Sequence, residues 1–199
     1  MGYFVHQYGL QSGTSSSFKI SMEEPLASQA FFNSRLLGAM FLHAGEKFHA
    51  TASLFAENDA MKMSTDKLGN EAWGAMTRLV WRPFTERGKI FHIGISGAYE
   101  SPRYCKNPAN SHSSYTLRAP FPTRIANVSA QEATITNATA LWKFSPEMNV
   151  ACGNLGLEAQ YFYVGIKRDH ALPNYSAWGA YGNVRYLLNG QGYTYTRTD

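Results

Sequence analysis

The residues of this chain that could do chemistry are cations and hydroxyls, not nucleophile–base sets. Arg35, Arg78, Arg118, Arg124 and Arg185 stand singly along 199 residues. Ser12-Gly13-Thr14-Ser15-Ser16-Ser17 gathers hydroxyls in a short run, with Lys19 close behind. Isolated cations in a narrow, low-dielectric passage attract anions because the field is focused there. A guanidinium also offers a planar fork that fits phosphate-like oxygens, and loop hydroxyls can donate hydrogen bonds to the same ion. Catalytic patterns are missing: there is no Gly-x-Ser-x-Gly, and no acidic pair stands at a strand end. The histidines, His6, His43, His49, His92, His112 and His170, have no carboxylate spaced for a triad or a metal site. No enzyme activity, cofactor or metal is therefore expected. Cys105 and Cys152 lack Cys-x-x-Cys spacing, which leaves two free thiols or one bridge.

Composition sets the frame for these side chains. Charged residues are only 16% and aromatics reach 14%, with 17 glycines, a balance that favours strands over helices. The formal charge of +4 is scattered, without the Lys/Arg cluster of a nucleic-acid footprint. Leu36–Leu42 is the longest apolar run, far short of the ~20 residues of a membrane helix. The mean hydropathy of −0.31 suits a barrel in which half of every strand faces water. Met1–His6 shows neither the basic start nor the apolar stretch of a signal peptide. If the chain is an outer-membrane protein, its true N-terminus is expected upstream.

Alternation is the main signal for the elements that must hold these residues. Phe48, Ala50, Ala52 and Leu54 alternate with His49, Thr51, Ser53 and Phe55. Ala75, Thr77, Leu79 and Trp81 alternate with Met76, Arg78, Val80 and Arg82. Similar runs cover Ile90–Tyr99, Asn154–Gly165 and Ala177–Leu188, with a weaker one over Ile135–Phe144. Each spans ten or so residues, beyond a typical globular strand and close to the ~9–11 of a tilted membrane strand. Aromatics gather near the run ends, as interface girdles would require. By facing, Arg78, Arg82, Lys143 and Arg185 share the polar side, and Glu158 joins them.

The connections read as short ones around 44–47 and 82–89, a moderate one over 143–153 about Ser145-Pro146, and long polar ones over 57–72, 101–113 and 167–176. The segment 11–31 is too long and too polar for a strand. Its Phe18, Ile20, Met22, Leu26 and Phe31 argue that it packs against something, with a short helical turn over 22–30. Pattern alone leaves two readings open: a membrane barrel with a loop folded into its lumen, or a soluble β-sandwich binding glycans through exposed Tyr and Trp.

Tyr8-Gly9-Leu10-Gln11, then Thr14-Ser15-Ser16, then Met22-Glu23 resembles the phosphate-selective porins O and P. There a strand ending in such a Gly-Leu step runs into a Thr-Ser-Ser-Lys/Arg loop. Ala52-Ser53-Leu54-Phe55, Phe91-His92-Ile93-Gly94, Leu157-Glu158-Ala159-Gln160-Tyr161 and Tyr186-Leu187-Leu188-Asn189-Gly190-Gln191 follow in the family's order. The resemblance covers nearly the whole chain. It implies an all-β, antiparallel transmembrane β-barrel, sixteen-stranded and trimeric in the family, of which residues 1–199 would be an incomplete portion, about half. Residues 12–31 would be an inward-folded constriction loop. It implies a passive channel for small anions, phosphate or polyphosphate among them, set in bacterial outer-membrane lipid and lipopolysaccharide as a homotrimer. Pore-lining, anion-binding residues would be Ser15, Ser16, Ser17, Lys19, Arg78, Arg118, Arg124 and Arg185. Two departures lower the positive charge: Ser17 stands where the family has Lys or Arg, and Glu24 where it has Arg. A general anion pore is therefore expected before a strict phosphate pore.

Overall fold

The structure, a computed structural model, describes residues 1–14, 19, 23–31, 35–56, 72–102, 114–121, 128–169 and 172–196. Long strands dominate: β1 (Gly2–Val5), β2 (Arg35–Ala44), β3 (Phe48–Ala56), β4 (Trp73–Glu86), β5 (Lys89–Ser101), β6 (Ser114–Pro120), β7 (Ser129–Thr136), β8 (Ala138–Cys152), β9 (Leu155–Arg168) and β10 (Tyr175–Tyr186). Two short helices, α1 (Gly9–Ser12) and α2 (Leu26–Phe31), lie between β1 and β2. Eight strands form one antiparallel sheet in the order β1-β2-β3-β4-β5-β8-β9-β10. β6 and β7 form a separate hairpin inserted between β5 and β8. Except for that hairpin, each strand pairs with its neighbour in sequence, the meander expected of an outer-membrane-type wall.

The sheet is inverted relative to a soluble protein. Its outward face carries Phe41, Phe48, Leu54, Leu79, Ile93, Ile95, Phe144, Trp178 and Val184, all largely exposed. Its inward face buries His49, Arg78, Arg82, His92, Glu100, Lys143, Glu147, Glu158 and Gln160. Water does not tolerate so continuous an apolar face on a lone domain; hydrocarbon does. The soluble-sandwich reading therefore fails, since a sandwich buries its apolar faces and solvates its charges. Aromatics mark the borders. Trp73, Tyr99 and Trp142 line the long-connection end, and Phe48, Trp81, Phe84 and Tyr186 line the turn end. Trp73 and Trp81 share one face of β4. Their separation is about 26 Å along the strand, or about 20 Å in height at a tilt of ~40°, close to the thickness of an apolar band.

Some boundaries differ from expectation, each for a local reason. Residues 143–153 are strand, not connection: Ser145 and Pro146 lie in mid-β8, and the turn is Gly153-Asn154. Proline has no N–H for the ladder. Register sets Pro146 opposite Tyr161, and the Ser145 hydroxyl donates to the Tyr161 carbonyl at 2.8 Å. Likewise β4 runs through Pro83 to Glu86, with the ladder slipping between Trp81 and Phe84. The bulge accommodates the proline, and only Arg87-Gly88 turns. The run 135–144 is two strands broken at Asn137, whose φ of 57° asparagine tolerates. With these corrections the turn end is uniformly tight. The short helical turn expected over 22–30 is α2, placed later, at Leu26–Phe31. Tyr8-Gly9-Leu10 does not end a strand: β1 stops at Val5, and Gly9 opens α1.

Candidate functional site

The segment after β1 does not stay at the rim. It turns back along the inward face of the sheet, where α1 touches β5 and β8 and α2 touches β6, β9 and β10. Gly9 N–H donates to Ser96 Oγ on β5 at 3.0 Å, and Gln11 Nε2 donates to Glu158 Oε1 on β9 at 2.7 Å. Gly9 has a φ of +76°, and a β-carbon there would run into the Gln160 side-chain amide. The positive φ favours glycine here, and any β-carbon would also displace the Gln160 amide.

Three layers then succeed one another along the inward face. At the long-connection end the filling is apolar. Phe31 stacks on Phe162 at 5.4 Å, and Tyr8, Phe55, Met76, Leu117, Leu141 and Ile166 join the cluster. Burial pushes the Tyr8 hydroxyl, which lies outside the strands, above its ordinary pKa. One ion pair sits within this cap: Lys143 Nζ meets Glu100 Oε1 at 2.8 Å, level with Leu141 and Met76 in the register. Beneath the cap lies a layer of paired charges, where Arg78 Nη2 donates to Glu147 Oε1 at 2.6 Å. His92 Nε2 meets the same carboxylate oxygen at 2.9 Å. Glu158 holds Arg185 at 3.1 Å and accepts from the Tyr181 hydroxyl at 2.9 Å. In so dry a place each charge requires its partner.

At the turn end a cavity of about 490 Å³ opens between the sheet and residues 187–196. Arg78, Arg82 and Arg185 line it, with His49, His92 and Tyr195. The wall formed by 187–196 is tied down: Gly88 N–H donates to the Tyr193 carbonyl at 2.8 Å, and the Tyr195 hydroxyl lies 2.7 Å from His92 Nδ1. Arg82 and Arg185 stack over the Tyr195 and Tyr193 rings, 5.7 and 5.8 Å from the centroids.

The structure brings together some of the residues singled out from sequence. Arg78 and Arg185 share the cavity. Lys19 is bound to Glu24, the residue that departs from the family pattern. Arg118 stands on the exposed face of the β6–β7 hairpin, where Nε donates to Ser129 Oγ at 2.6 Å and lies 3.6 Å from Glu132. That hairpin turns Leu117 and Ala119 inward instead. Ser15, Ser16, Ser17 and Arg124 lie outside the described residues, as does Cys105; Cys152 is an exposed free thiol. The carboxylates Glu100 and Glu147, and the tyrosines at 193 and 195, were not anticipated. Alternation from Lys143 places Glu147 on the same face, so parity alone could have found it. No spacing rule connects 195 to 92.

An antiparallel sheet that is apolar outside and charged inside defines a membrane-channel wall. Nearly the whole chain, residues 1–198, matches the model of the family described as phosphate-selective porin O and P, and the chain belongs to that family. It is a porin, and its long antiparallel strands are consistent with that all-β fold. No curated protein matches the chain.

Proposed function

We propose that this porin passes small anions across the bacterial outer membrane, phosphate-like ions among them, with selection by inward-facing basic residues. The inverted sheet carries the reading: its charged side chains are turned inward, away from the apolar outer face. Residues 12–31 serve as the constriction loop, since α1, ending at Ser12, and α2, at its C-terminal end, lie on the inward face. Ser15, Ser16, Ser17, Lys19, Arg78, Arg118, Arg124 and Arg185 are assigned to the passage. Of these, Arg78 and Arg185 have the best support, because they line one cavity. Lys19 contributes less net charge than its type suggests, being bound to Glu24. A homotrimer in contact with lipopolysaccharide is the assembly this family membership favours.

Single-channel recording of the full-length protein in planar bilayers tests the reading. Discrete conductance steps are expected, with a reversal potential in asymmetric potassium chloride of anion-selective sign. A cation-selective sign would remove the anion claim, and an absence of steps would remove the channel claim.

A further inference from the structure

The inward-facing cations are not equivalent. Among the described residues, Arg78, Lys143 and Arg185 each have a carboxylate within salt-bridge distance, namely Glu147, Glu100 and Glu158. Each pair is close to neutral and attracts a passing anion weakly. Arg82 differs. It is only 3% exposed, yet its single side-chain hydrogen bond among the described residues runs from Nη2 to the Gly45 carbonyl at 2.8 Å. Its Nε is buried with no partner there. A buried guanidinium without a counter-ion is a costly arrangement. The Tyr195 ring, 5.7 Å from the guanidinium, offsets only part of that cost.

The cavity wall around Arg82 suits a bound anion as the counter-ion that no described residue supplies. Thr194 and Thr196 bring hydroxyls, and His49 brings an imidazole. The space of about 490 Å³ holds a small oxyanion with some water. On the anion-pore reading, we propose that Arg82 is the principal anion-binding cation among the described residues of the turn-end cavity. Its ligand is a small tetrahedral oxyanion held there, while Arg78 and Arg185, paired with Glu147 and Glu158, line the passage and attract the anion more weakly. Glu158 therefore acts as a brake on selectivity. Neutralising it frees Arg185, which lies at the same cavity and whose Nε also has no partner among the described residues.

The test records chloride current through the full-length protein in planar bilayers while inorganic phosphate is titrated as blocker. In R82Q the phosphate concentration for half-block is expected to rise by about tenfold, and the reversal potential to move toward zero. R82K keeps the charge but not the fork. It should keep the reversal potential and lose most of the phosphate block. E158Q should strengthen both block and anion selectivity. Wild-type block in R82Q, or a loss confined to R78Q and R185Q, would overturn the assignment. If R82Q yields no channels, R82K and E158Q decide alone: unchanged block in both overturns it. A wild-type protein that is silent or cation-selective instead defeats the anion-pore reading itself, and that outcome is visible before any variant is made.

Discussion

Glu147 shows how much of the interior depends on single side chains. Its Oε1 receives Arg78 at 2.6 and 3.1 Å and lies 2.9 Å from His92, while Oε2 has no partner among the described residues. Gly94 on β5 makes room for the carboxylate, since a β-carbon there would fall 2.8 Å from Oε1. Replacing Glu147 with Ala leaves a buried, unpaired guanidinium. The expected cost is ~3–5 kcal/mol, read as a lower urea midpoint for loss of the folded, heat-modifiable band. A double variant that also converts Arg78 to Met should recover most of it. An E147A midpoint equal to wild type would mean the pair is solvated. The inward direction of Arg78 was legible from alternation on β4. Its partner was not, because the pair joins residues 69 apart through register that no local pattern encodes.

The strands themselves were the most legible feature, because a period of two sustained over ten or more residues fits a half-buried strand and not a helix. The errors fell at Pro83, Pro146 and Asn137. Proline usually marks a turn, but a long membrane strand can absorb one through a bulge or a neighbouring hydroxyl, as β4 and β8 do. The strands β6 and β7 are not legible from alternation, because they are short and β6 packs against α2 instead of continuing a long alternating run. The outward faces carry a direct prediction. Leu79 lies between Trp73 and the turn end on the outward face of β4 and is 53% exposed. Arginine there, two residues inside the Trp81 border, should cost ~1–2 kcal/mol, between the midplane and interface values. The check is folding yield into lipid vesicles: L79R should fold poorly, and wild-type yield would contradict a lipid-facing surface.

At the scale of the molecule, α1 and α2, the β6–β7 pair and residues 192–196 all occupy the same side of one sheet. The apolar cap, the paired charges and the arginine-lined cavity follow from that arrangement. The resemblance to the porin family is what suggests an inward loop over 12–31, and α1 and α2 at its two ends lie on the inward face. Its anchoring at Ser96 and Glu158, and the closure of the cavity by 193 and 195, required the three-dimensional structure. The central claim is that the sheet presents its apolar face to lipid and its charged face to the passage. The chain's four tryptophans test it, since Trp73, Trp81, Trp142 and Trp178 are all on the outward face. The measurement is tryptophan fluorescence of the protein folded into vesicles, with bromine-labelled acyl chains as one quencher and aqueous iodide as the other. The inverted sheet predicts strong quenching by the brominated lipid and little by iodide. Strong iodide quenching with no effect of brominated lipid would contradict it.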